Sequence, residues 1–368
     1  MMSKAELDSS ETSAPAALSV TSGVSTHRTL NGMAVVGLGY WGPNWVRNLY
    51  HGGYCNRLVC CDLDSGRREH MQKLYPGVEA TGDLDEVLAD SDIEGVIVAT
   101  PVGTHYRLAH RALMNDKSVL VEKPLATSCK EAAELTRVAR ERAQTLMVGH
   151  TFEYSTPILK MREIISSGEL GDVFYISSVR ANLGLFQHDI NVVWDLATHD
   201  VSIILKLLER VPETASCHGQ SHYRADVEDV AMLTLNFSHN VIAFLHVSWL
   251  DPNKIRRTTI AGSKRMLVYD DTALQEKIRI YDKGVSIMPY YDTFGEFQLA
   301  YRYGDIQIPR IEEVEPLKVE CEHFIDCIRN GSVPSTDGIN GMRVVSVLEA
   351  AERSLKNGGH PVRVEGHA

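Results

Sequence analysis

Short apolar runs alternate with helical patterns through the first part of the chain. Five runs have the length and composition of strands buried on both faces, at residues 33–36, 58–61, 95–99, 119–121 and 146–148. Amphipathic stretches between them predict helices at 43–49, 65–74, 84–89, 105–114 and 130–142. Strands and helices in this alternation indicate a doubly wound parallel sheet. We expect that domain to occupy residues 33–150.

After residue 151 the apolar positions change to period 2. They predict strands at 230–237, 241–248, 256–261, 266–269 and 277–281. Helical patterns fall at 157–166, 194–208, 316–329 and 342–357. A second α+β domain over residues 151–368, with a large and mainly antiparallel sheet, is the expectation. Residues 1–32 include a segment rich in Ser, Thr and Ala without an apolar period, and they predict a disordered tail.

Composition narrows the classes of partner. The 368 residues carry a net charge of −11, which argues against nucleic acid and anionic membranes as main partners. No apolar run approaches the roughly 18 residues that span a bilayer. The seven cysteines form no C-x-x-C pair, so neither a disulfide framework nor a metal site is expected. A reducing cytoplasm fits this use of cysteine.

The first apolar run ends in a Gly-x-Gly-x-x-Gly motif formed by Gly37, Gly39 and Gly42. In a strand–turn–helix, the first glycine allows a tight turn and the second lets a pyrophosphate approach the backbone. The third lets the helix pack close to the strand, with its N–H groups directed at the anion. We expect these glycines, with Tyr40 and Trp41 between them, to bind a dinucleotide.

An acidic residue follows the second apolar run at the position expected for ribose recognition. Asp62 lies twenty residues beyond Gly42, where a carboxylate accepts hydrogen bonds from the adenosine ribose hydroxyls. Because a carboxylate repels a 2′-phosphate, NAD is favoured over NADP. Thr100, Pro101 and His105 follow the third run at the same sheet edge. They suit contact with cofactor ribose or nicotinamide, although a strand-ending proline and a helix-capping histidine are equally compatible with the pattern.

Two further segments carry candidate chemistry. Lys123, between Glu122 and Pro124, follows a strand and faces the crevice where a nicotinamide would lie, so its ammonium can stabilise negative charge on a reacting hydroxyl oxygen. Asp195 and His199 stand at i and i+4 on a predicted helix, where a carboxylate can orient an imidazole for acid–base work. A surface ion pair, an unrelated helix N-terminal acid and a pair of metal ligands remain alternatives for those two residues.

Together these segments resemble the glucose–fructose oxidoreductase / inositol dehydrogenase (GFO/IDH/MocA) family of NAD(P)-dependent sugar oxidoreductases. The resemblance runs from about residue 33 to 364 and rests on the glycine turn, Ala99-Thr100-Pro101 with His105, Glu122-Lys123-Pro124, Gly149-His150 and the Asp195-x-x-x-His199 helix. It implies that Lys123 binds the reacting hydroxyl, that His199 moves the proton and that Asp195 holds or tunes the histidine. It places Glu122 beside the cofactor.

Substrate contacts are expected around the start of that helix. Arg180 has the planar fork that suits a phosphate or carboxylate. Asn182, His188 and Asn191 can hydrogen-bond sugar hydroxyls, or satisfy their own loops.

The resemblance implies an NAD-dependent enzyme that acts on a sugar CH–OH group. Overall likeness favours the branch that oxidises a nucleotide sugar at C3, UDP-N-acetylglucosamine or its uronate, in polysaccharide biosynthesis. Alternatives are an inositol or polyol dehydrogenase, a deoxysugar 3-ketoreductase and an NAD-dependent glycoside hydrolase. A non-catalytic dinucleotide sensor would have no need of both Lys123 and His199. The family also implies a homodimer or homotetramer formed through the antiparallel sheet.

Overall fold

The computed structural model of the protein describes residues 29–184, 186–187, 190–287 and 299–365. Six strands form a parallel sheet: β1 (Leu30–Val36), β2 (Cys55–Cys61), β3 (Glu79–Thr81), β4 (Ile93–Val98), β5 (Ser118–Glu122) and β6 (Leu146–Gly149). Five helices lie between them: α1 (Gly42–Gly52), α2 (Ser65–Leu74), α3 (Leu84–Ala89), α4 (His105–Met114) and α5 (Cys129–Glu141). The spatial order is β3-β2-β1-β4-β5-β6, so the predicted doubly wound sheet is confirmed.

The strand β1 begins earlier than its apolar run. Residues 30–32 belong to the sheet and not to the predicted tail, because Leu30 is buried and pairs with Cys55 of β2. The rest of the predicted tail, residues 1–28, lies outside the described residues.

Both faces of this sheet are covered, as the unbroken apolar runs predict. Met33 and Val35 of β1 belong to one hydrophobic cluster, whereas Ala34 and Val36 belong to the other. Successive strand residues point to opposite faces, so an apolar residue is needed at every position. The polar groups available for function therefore concentrate at the carboxyl ends of the strands.

The second half of the chain forms a nine-stranded sheet with helices against it. Its strands are β7 (Val173–Ala181), β8 (Thr214–Gln220), β9 (Val230–Phe237), β10 (Val241–Ser248), β11 (Ile255–Gly262), β12 (Met266–Asp270), β13 (Ile278–Ile287), β14 (Leu299–Gln307) and β15 (Val362–Arg363). Its helices are α6 (Thr156–Ser166), α7 (Thr198–Leu208), α8 (Pro316–Asn330) and α9 (Gly338–Lys356). The order is β14-β13-β12-β11-β7-β10-β9-β8-β15, and β7 with β10 is the parallel pair among otherwise antiparallel neighbours.

Burial in this sheet follows the predicted period of two. Leu233 and Leu235 of β9 are buried, whereas Met232, the residue before Leu233, faces outward and is 54% exposed. Phe244 of β10 is 43% exposed on the outer face, between the buried Ala243 and Leu245. One face of the sheet therefore packs on helices and the other is open.

The helix α8 returns to the first domain. Leu317, Cys321 and Phe324 share a hydrophobic cluster with Met33 and Leu120 of the parallel sheet. A division at residue 150 thus separates the two sheets but not the helices that cover them. Within the described ranges, no helix is long and apolar enough to cross a membrane.

Candidate active site

The turn after β1 leaves room for a pyrophosphate. Gly37 has a φ of +92°, and a Cβ there would lie 2.5 Å from the carbonyl oxygen of Ala99. A Cβ on Gly42 would lie 1.9 Å from the carbonyl oxygen of Gly37, so α1 starts against the turn. A Cβ on Gly39, in contrast, would meet among the described residues only Arg67 Nη1, at 4.0 Å. No side chain caps the N-terminus of α1, which favours an anion there. Pro43 has no N–H and that of Asn44 donates to the carbonyl oxygen of Trp41 at 2.9 Å, so the N–H of Gly42 is the candidate donor.

Asp62 lies beside this turn at the end of β2. Its Oδ2 accepts a hydrogen bond from the backbone N–H of Leu38 at 2.6 Å, and its Oδ1 accepts one from Asp64 at 2.9 Å. Two carboxylate oxygens have further acceptor capacity for ribose hydroxyls. Tyr40 and Trp41 are 79% and 36% exposed at the mouth of the turn. The turn, the acid and the helix N-terminus together fit a dinucleotide.

His105 has a different position from the one predicted. Its imidazole is buried, with Nδ1 2.8 Å from the carbonyl oxygen of Pro124 and Nε2 2.8 Å from that of Thr100. It therefore ties the segments after β4 and β5 together and does not face the crevice. Thr100 is half-buried and bonds to Thr104 through their hydroxyl oxygens at 2.7 Å, whereas Pro101 is exposed.

Glu122 is turned into the protein at the end of β5. Its Oε1 accepts a hydrogen bond from Trp45 Nε1 of α1 at 2.7 Å, and its Oε2 accepts one from the backbone N–H of Lys123 at 3.3 Å. Burial raises the pKa of this carboxyl, and the bond from Trp45 opposes the rise. The predicted cofactor contact of Glu122 is thus replaced by an anchor between the cofactor-binding helix and Lys123.

Lys123 and Asp195 meet across the two domains. Nζ of Lys123 donates to Oδ1 of Asp195 at 3.1 Å and to its main-chain oxygen at 3.0 Å. The side chains are 11% and 16% exposed, so the ion pair is shielded but reachable. The second carboxylate oxygen, Oδ2, accepts a hydrogen bond from Trp249 Nε1 at 3.0 Å. The ammonium of Lys123 is therefore held at the carboxyl edge of the parallel sheet.

The predicted contact between the carboxylate of Asp195 and the imidazole of His199 is wrong, because among the described residues that carboxylate has other partners. Residues Val193–Ala197 form a π-helical turn ahead of α7, and the carboxylate of Asp195 is directed to Lys123 and Trp249. Spacing along a helix shows which residues share a face, but it does not show which distant partner a carboxylate takes.

His199 lies at the start of α7 and is partly exposed. Its ring contacts the ring of Phe152 edge-on, with centroids 5.1 Å apart. Burial lowers its pKa well below 6.5, and the charges of Lys123 and Arg180 lower it further. The imidazole is consequently neutral at neutral pH and able to accept a proton.

Arg180 is a buried structural residue and not the predicted anion ligand. Its Nε donates to Oδ2 of Asp200 at 2.8 Å and its Nη2 to Oδ1 at 3.2 Å, with side chains 5% and 4% exposed. The guanidinium also lies over the ring of Phe152, 4.6 Å from its centroid. The fork that would bind a substrate carboxylate is already occupied by one from α7.

Asn191 is also used inside the protein. Its Oδ1 accepts hydrogen bonds from the backbone N–H groups of Val193 and Trp194, at 3.1 and 3.2 Å. Its Nδ2 donates to Glu228 and Glu352, at 2.9 and 3.0 Å. The residue caps the helical segment, which replaces its predicted contact with a sugar hydroxyl.

Of the remaining predicted substrate contacts, Asn182 is half-buried at the end of β7, where its backbone N–H donates to Ser248 at 3.2 Å. His188 lies outside the described residues. No group of three or more His, Cys, Asp or Glu side chains within the described ranges could hold a metal ion.

The sequence pattern did not identify three residues that complete the site. Trp249 holds Asp195, Phe152 packs on His199, and Arg256 reaches the ring of Phe152 at 5.7 Å from its centroid. Trp249 and Phe152 each follow a strand by only a few residues. That position is the signal by which a search of strand ends could have found them.

Two family models match the chain. Residues 32–150 match "Oxidoreductase family, NAD-binding Rossmann fold", and residues 158–268 match "GFO/IDH/MocA C-terminal domain". Among curated relatives, scyllo-inositol 2-dehydrogenase (NAD(+)) of Bacillus subtilis is 26% identical over 344 residues, which covers 90% of this chain and 96% of that protein. D-apiose dehydrogenase of Rhizobium rhizogenes is 23% identical and covers 88% of this chain and 95% of its own length.

Solved structures show the same fold. GenD2 from gentamicin A biosynthesis, in complex with NAD, superposes with a TM-score of 0.78 at 22% identity, over 95% of this chain and all of that one (100%). UDP-N-acetylglucosamine 3-dehydrogenase GnnA from Acidithiobacillus ferrooxidans gives a TM-score of 0.72 at 22% identity, over 89% of this chain and 97% of that one. Both likenesses extend across the two domains.

Proposed function

This chain belongs to the GFO/IDH/MocA family of NAD-dependent sugar and polyol oxidoreductases, and from that premise we propose that it oxidises a nucleotide-linked sugar at C3. The observation that carries the oxidation of a hydroxyl is that Lys123, held by Asp195, acts on a neutral His199 at the sheet edge that also presents the glycine turn. Bound NAD supplies the acceptor for a hydride.

In this proposal the side chains of the site divide the work on one hydroxyl. Lys123, fixed by Asp195, donates a hydrogen bond to the reacting oxygen and stabilises the negative charge that develops on it. His199 removes the hydroxyl proton as the hydride leaves the carbon. Trp249 keeps Asp195 directed at Lys123, so it acts as a positioning residue.

A negatively charged sugar is supported by Arg256. Its side chain is 34% exposed, and its Nη1 bonds to Asp271 at 3.1 Å. Because Arg256 and His199 both lie against the ring of Phe152, a cationic donor lies near the proposed base. Arg256 thus takes the role that the sequence suggested for Arg180, toward a uronate carboxylate or a diphosphate.

A free cyclitol is the second candidate, favoured by the 26% identity to scyllo-inositol 2-dehydrogenase along nearly the full length of both proteins. Lys123 and His199 would serve its ring hydroxyl equally well. The cytoplasmic location and the homodimer or homotetramer remain predictions.

The test is NADH formation by the purified protein with UDP-N-acetylglucosamine, its uronate, myo-inositol and glucose 6-phosphate. We expect turnover on the nucleotide sugars, and activity on inositol alone would overturn that substrate class. The variant His199→Ala should lower kcat by about 10²- to 10⁴-fold with the Kd of NAD nearly unchanged. Arg256→Gln should raise KM for a uronate more than KM for a neutral sugar. Intact turnover of His199→Ala would contradict the proton-transfer assignment.

A further inference from the structure

Buried polar atoms that form no hydrogen bond concentrate behind the catalytic residues. Six of the eight such atoms in the described part of the chain surround one short 3-10 turn, Thr151–Tyr154. They are His150 Nδ1 and Nε2, Glu153 Oε2, Ser155 Oγ, Glu320 Oε1 and Asn340 Oδ1. Buried polar groups in native proteins are almost always satisfied, and internal water satisfies those that protein atoms do not reach.

This turn starts at the reaction site. His150 follows Gly149, which pairs in register with Glu122, and the charge of Lys123 acts on its imidazole. Phe152 of the same turn packs against His199. His150 is 1% exposed, and burial together with the charge of Lys123 lowers its pKa to about 3. A neutral imidazole has one N–H and one lone pair, so it can accept a proton on one side while releasing one on the other.

The turn then leads to a buried carboxyl on α8. Thr151 Oγ1 donates to Oε2 of Glu320 at 2.6 Å, and Glu320 is fully buried (0% exposed). Burial raises the pKa of Glu320 well above its usual value, and the nearby carboxyls of Glu122 and Glu153 raise it further. The phenol of Tyr154 is also buried nearby.

The far end of the turn faces the partly exposed side chain of Lys206. Glu153 accepts a hydrogen bond from Asn340 Nδ2 at 3.3 Å, and its Oε2 lies 3.5 Å from Lys206 Nζ. Burial raises the pKa of Glu153 to about 7, against the opposing charges of Lys206 and Arg162. The side chain of Lys206 is 14% exposed, so solvent is within reach at this end.

His199 needs such a route because conversion of its neutral imidazole to the imidazolium is unfavourable. Lys123, Arg180 and Arg256 all disfavour the imidazolium. We propose that His150, Glu320 and Glu153, joined by internal water, conduct the substrate hydroxyl proton from His199 to solvent beside Lys206. The proposal rests on the proposed function. As the hydride leaves the carbon for NAD, the O–H bond breaks and the proton passes to His199. His150 and Glu320 each release one proton as they accept one, and the ionised Glu153 accepts the last proton and then loses it to solvent.

The test combines Glu153→Gln and Glu320→Gln with a matched control, Glu163→Gln. Glu163 carries the same carboxyl on α6, where it is 67% exposed and pairs with Lys160 at 2.7 Å. We expect kcat to fall at least about fivefold in both buried variants and the solvent deuterium isotope effect on kcat to rise. KM for sugar and NAD should stay within about twofold, and the control should match wild type.

The dependence of kcat on pH distinguishes the titration of Glu153 in the route from that of the base, His199. Glu153 must be ionised to accept a proton, so wild-type kcat for oxidation should fall as pH drops through about 7, and Glu153→Gln should lose that limb. The limb of His199 lies well below 6.5. A wild-type profile without a limb near 7, or an unchanged kcat and isotope effect in folded variants, overturns the route.

If the Gln variants fail to fold, Thr151→Val removes the donor to Glu320 from a half-buried position and should show the same isotope signature. Normal kcat and isotope effect in that variant count against the route. Wild-type protein that forms NADH with no sugar overturns the proposed function and the route together. Turnover without these signatures overturns the route alone.

Discussion

The buried pair of Arg180 and Asp200 gives the sharpest test of the structural assignment. Asp200 accepts two hydrogen bonds from the guanidinium and one from Ser178 Oγ at 2.9 Å, and both charged side chains are almost fully enclosed. The substitution Arg180→Met keeps an apolar stem against Phe152 and removes the charge. It leaves the carboxylate of Asp200 buried with a single hydroxyl donor.

Removing one partner of a buried ion pair costs about 3–5 kcal/mol, because the other charge stays inside without compensation. Chemical denaturation of wild type and Arg180→Met measures this difference in the free energy of unfolding. Arg137→Met is the matched control, since Arg137 is 53% exposed in its pairs with Glu134 and Glu141. We expect the control to unfold at nearly the same denaturant concentration as wild type, because solvent screens an exposed ion pair.

The combined change Arg180→Met with Asp200→Leu should recover part of the loss, since no buried charge then remains. The opposite pattern refutes the assignment. If Arg180→Met unfolds like the control but raises KM for a charged sugar tenfold or more, the guanidinium binds substrate and the pairing with Asp200 is incidental.

Two further predictions concern the cofactor and the lysine. Asp62→Ala should lower the ratio of kcat/KM for NAD to kcat/KM for NADP by about tenfold or more, because the carboxylate no longer repels a 2′-phosphate while Arg67 remains nearby. Steady-state kinetics with both cofactors measure this ratio, and an unchanged ratio contradicts the ribose role of Asp62. Trp249→Phe removes the donor to Asp195 Oδ2, worth about 1.5 kcal/mol for a bond to a charged group. We expect kcat to fall about tenfold, with the Kd of NAD unchanged in fluorescence titration; a normal kcat would show that Lys123 holds Asp195 without help.

Local signals predicted much of the first domain. The bounds of α2, α3 and α4 agree with the pattern. The first two helices have clear starts, because the side chains of Asp64 and Asp83 accept hydrogen bonds from the backbone N–H groups of Arg67 and Asp85. The strand β8 was not predicted, because Thr-Ala-Ser-Cys-His-Gly-Gln has little apolar alternation. It forms through its pairing with β9. Such strands depend on neighbours that the sequence does not place.

Prediction of the site succeeded and failed for the same reasons as prediction of the fold. Strand ends meet at one edge of a parallel sheet, so the sequence could bring Lys123 to the cofactor crevice. The same reasoning could not predict which side chains the other site residues bond to. Asp195 bonds to Trp249, 54 residues later, and Arg180 bonds to Asp200, from a different element. A side chain with a strong local pattern is easily located, whereas the group that satisfies it depends on tertiary packing.

Each cationic side chain of the site is paired with a carboxylate, which explains how a protein with a net charge of −11 accommodates three cations there. Lys123, Arg180 and Arg256 are matched by Asp195, Asp200 and Asp271, so the site as a whole is close to neutral. Burial lowers the pKa of His199 most, and the charges of Lys123, Arg180 and Arg256 lower it further. His199 therefore stays unprotonated before the reaction, while the ammonium of Lys123 remains available to the oxygen from which the proton leaves. An environment that holds His199 neutral also disfavours its protonated form, and this is the physical reason for the proposed route that carries the proton onward.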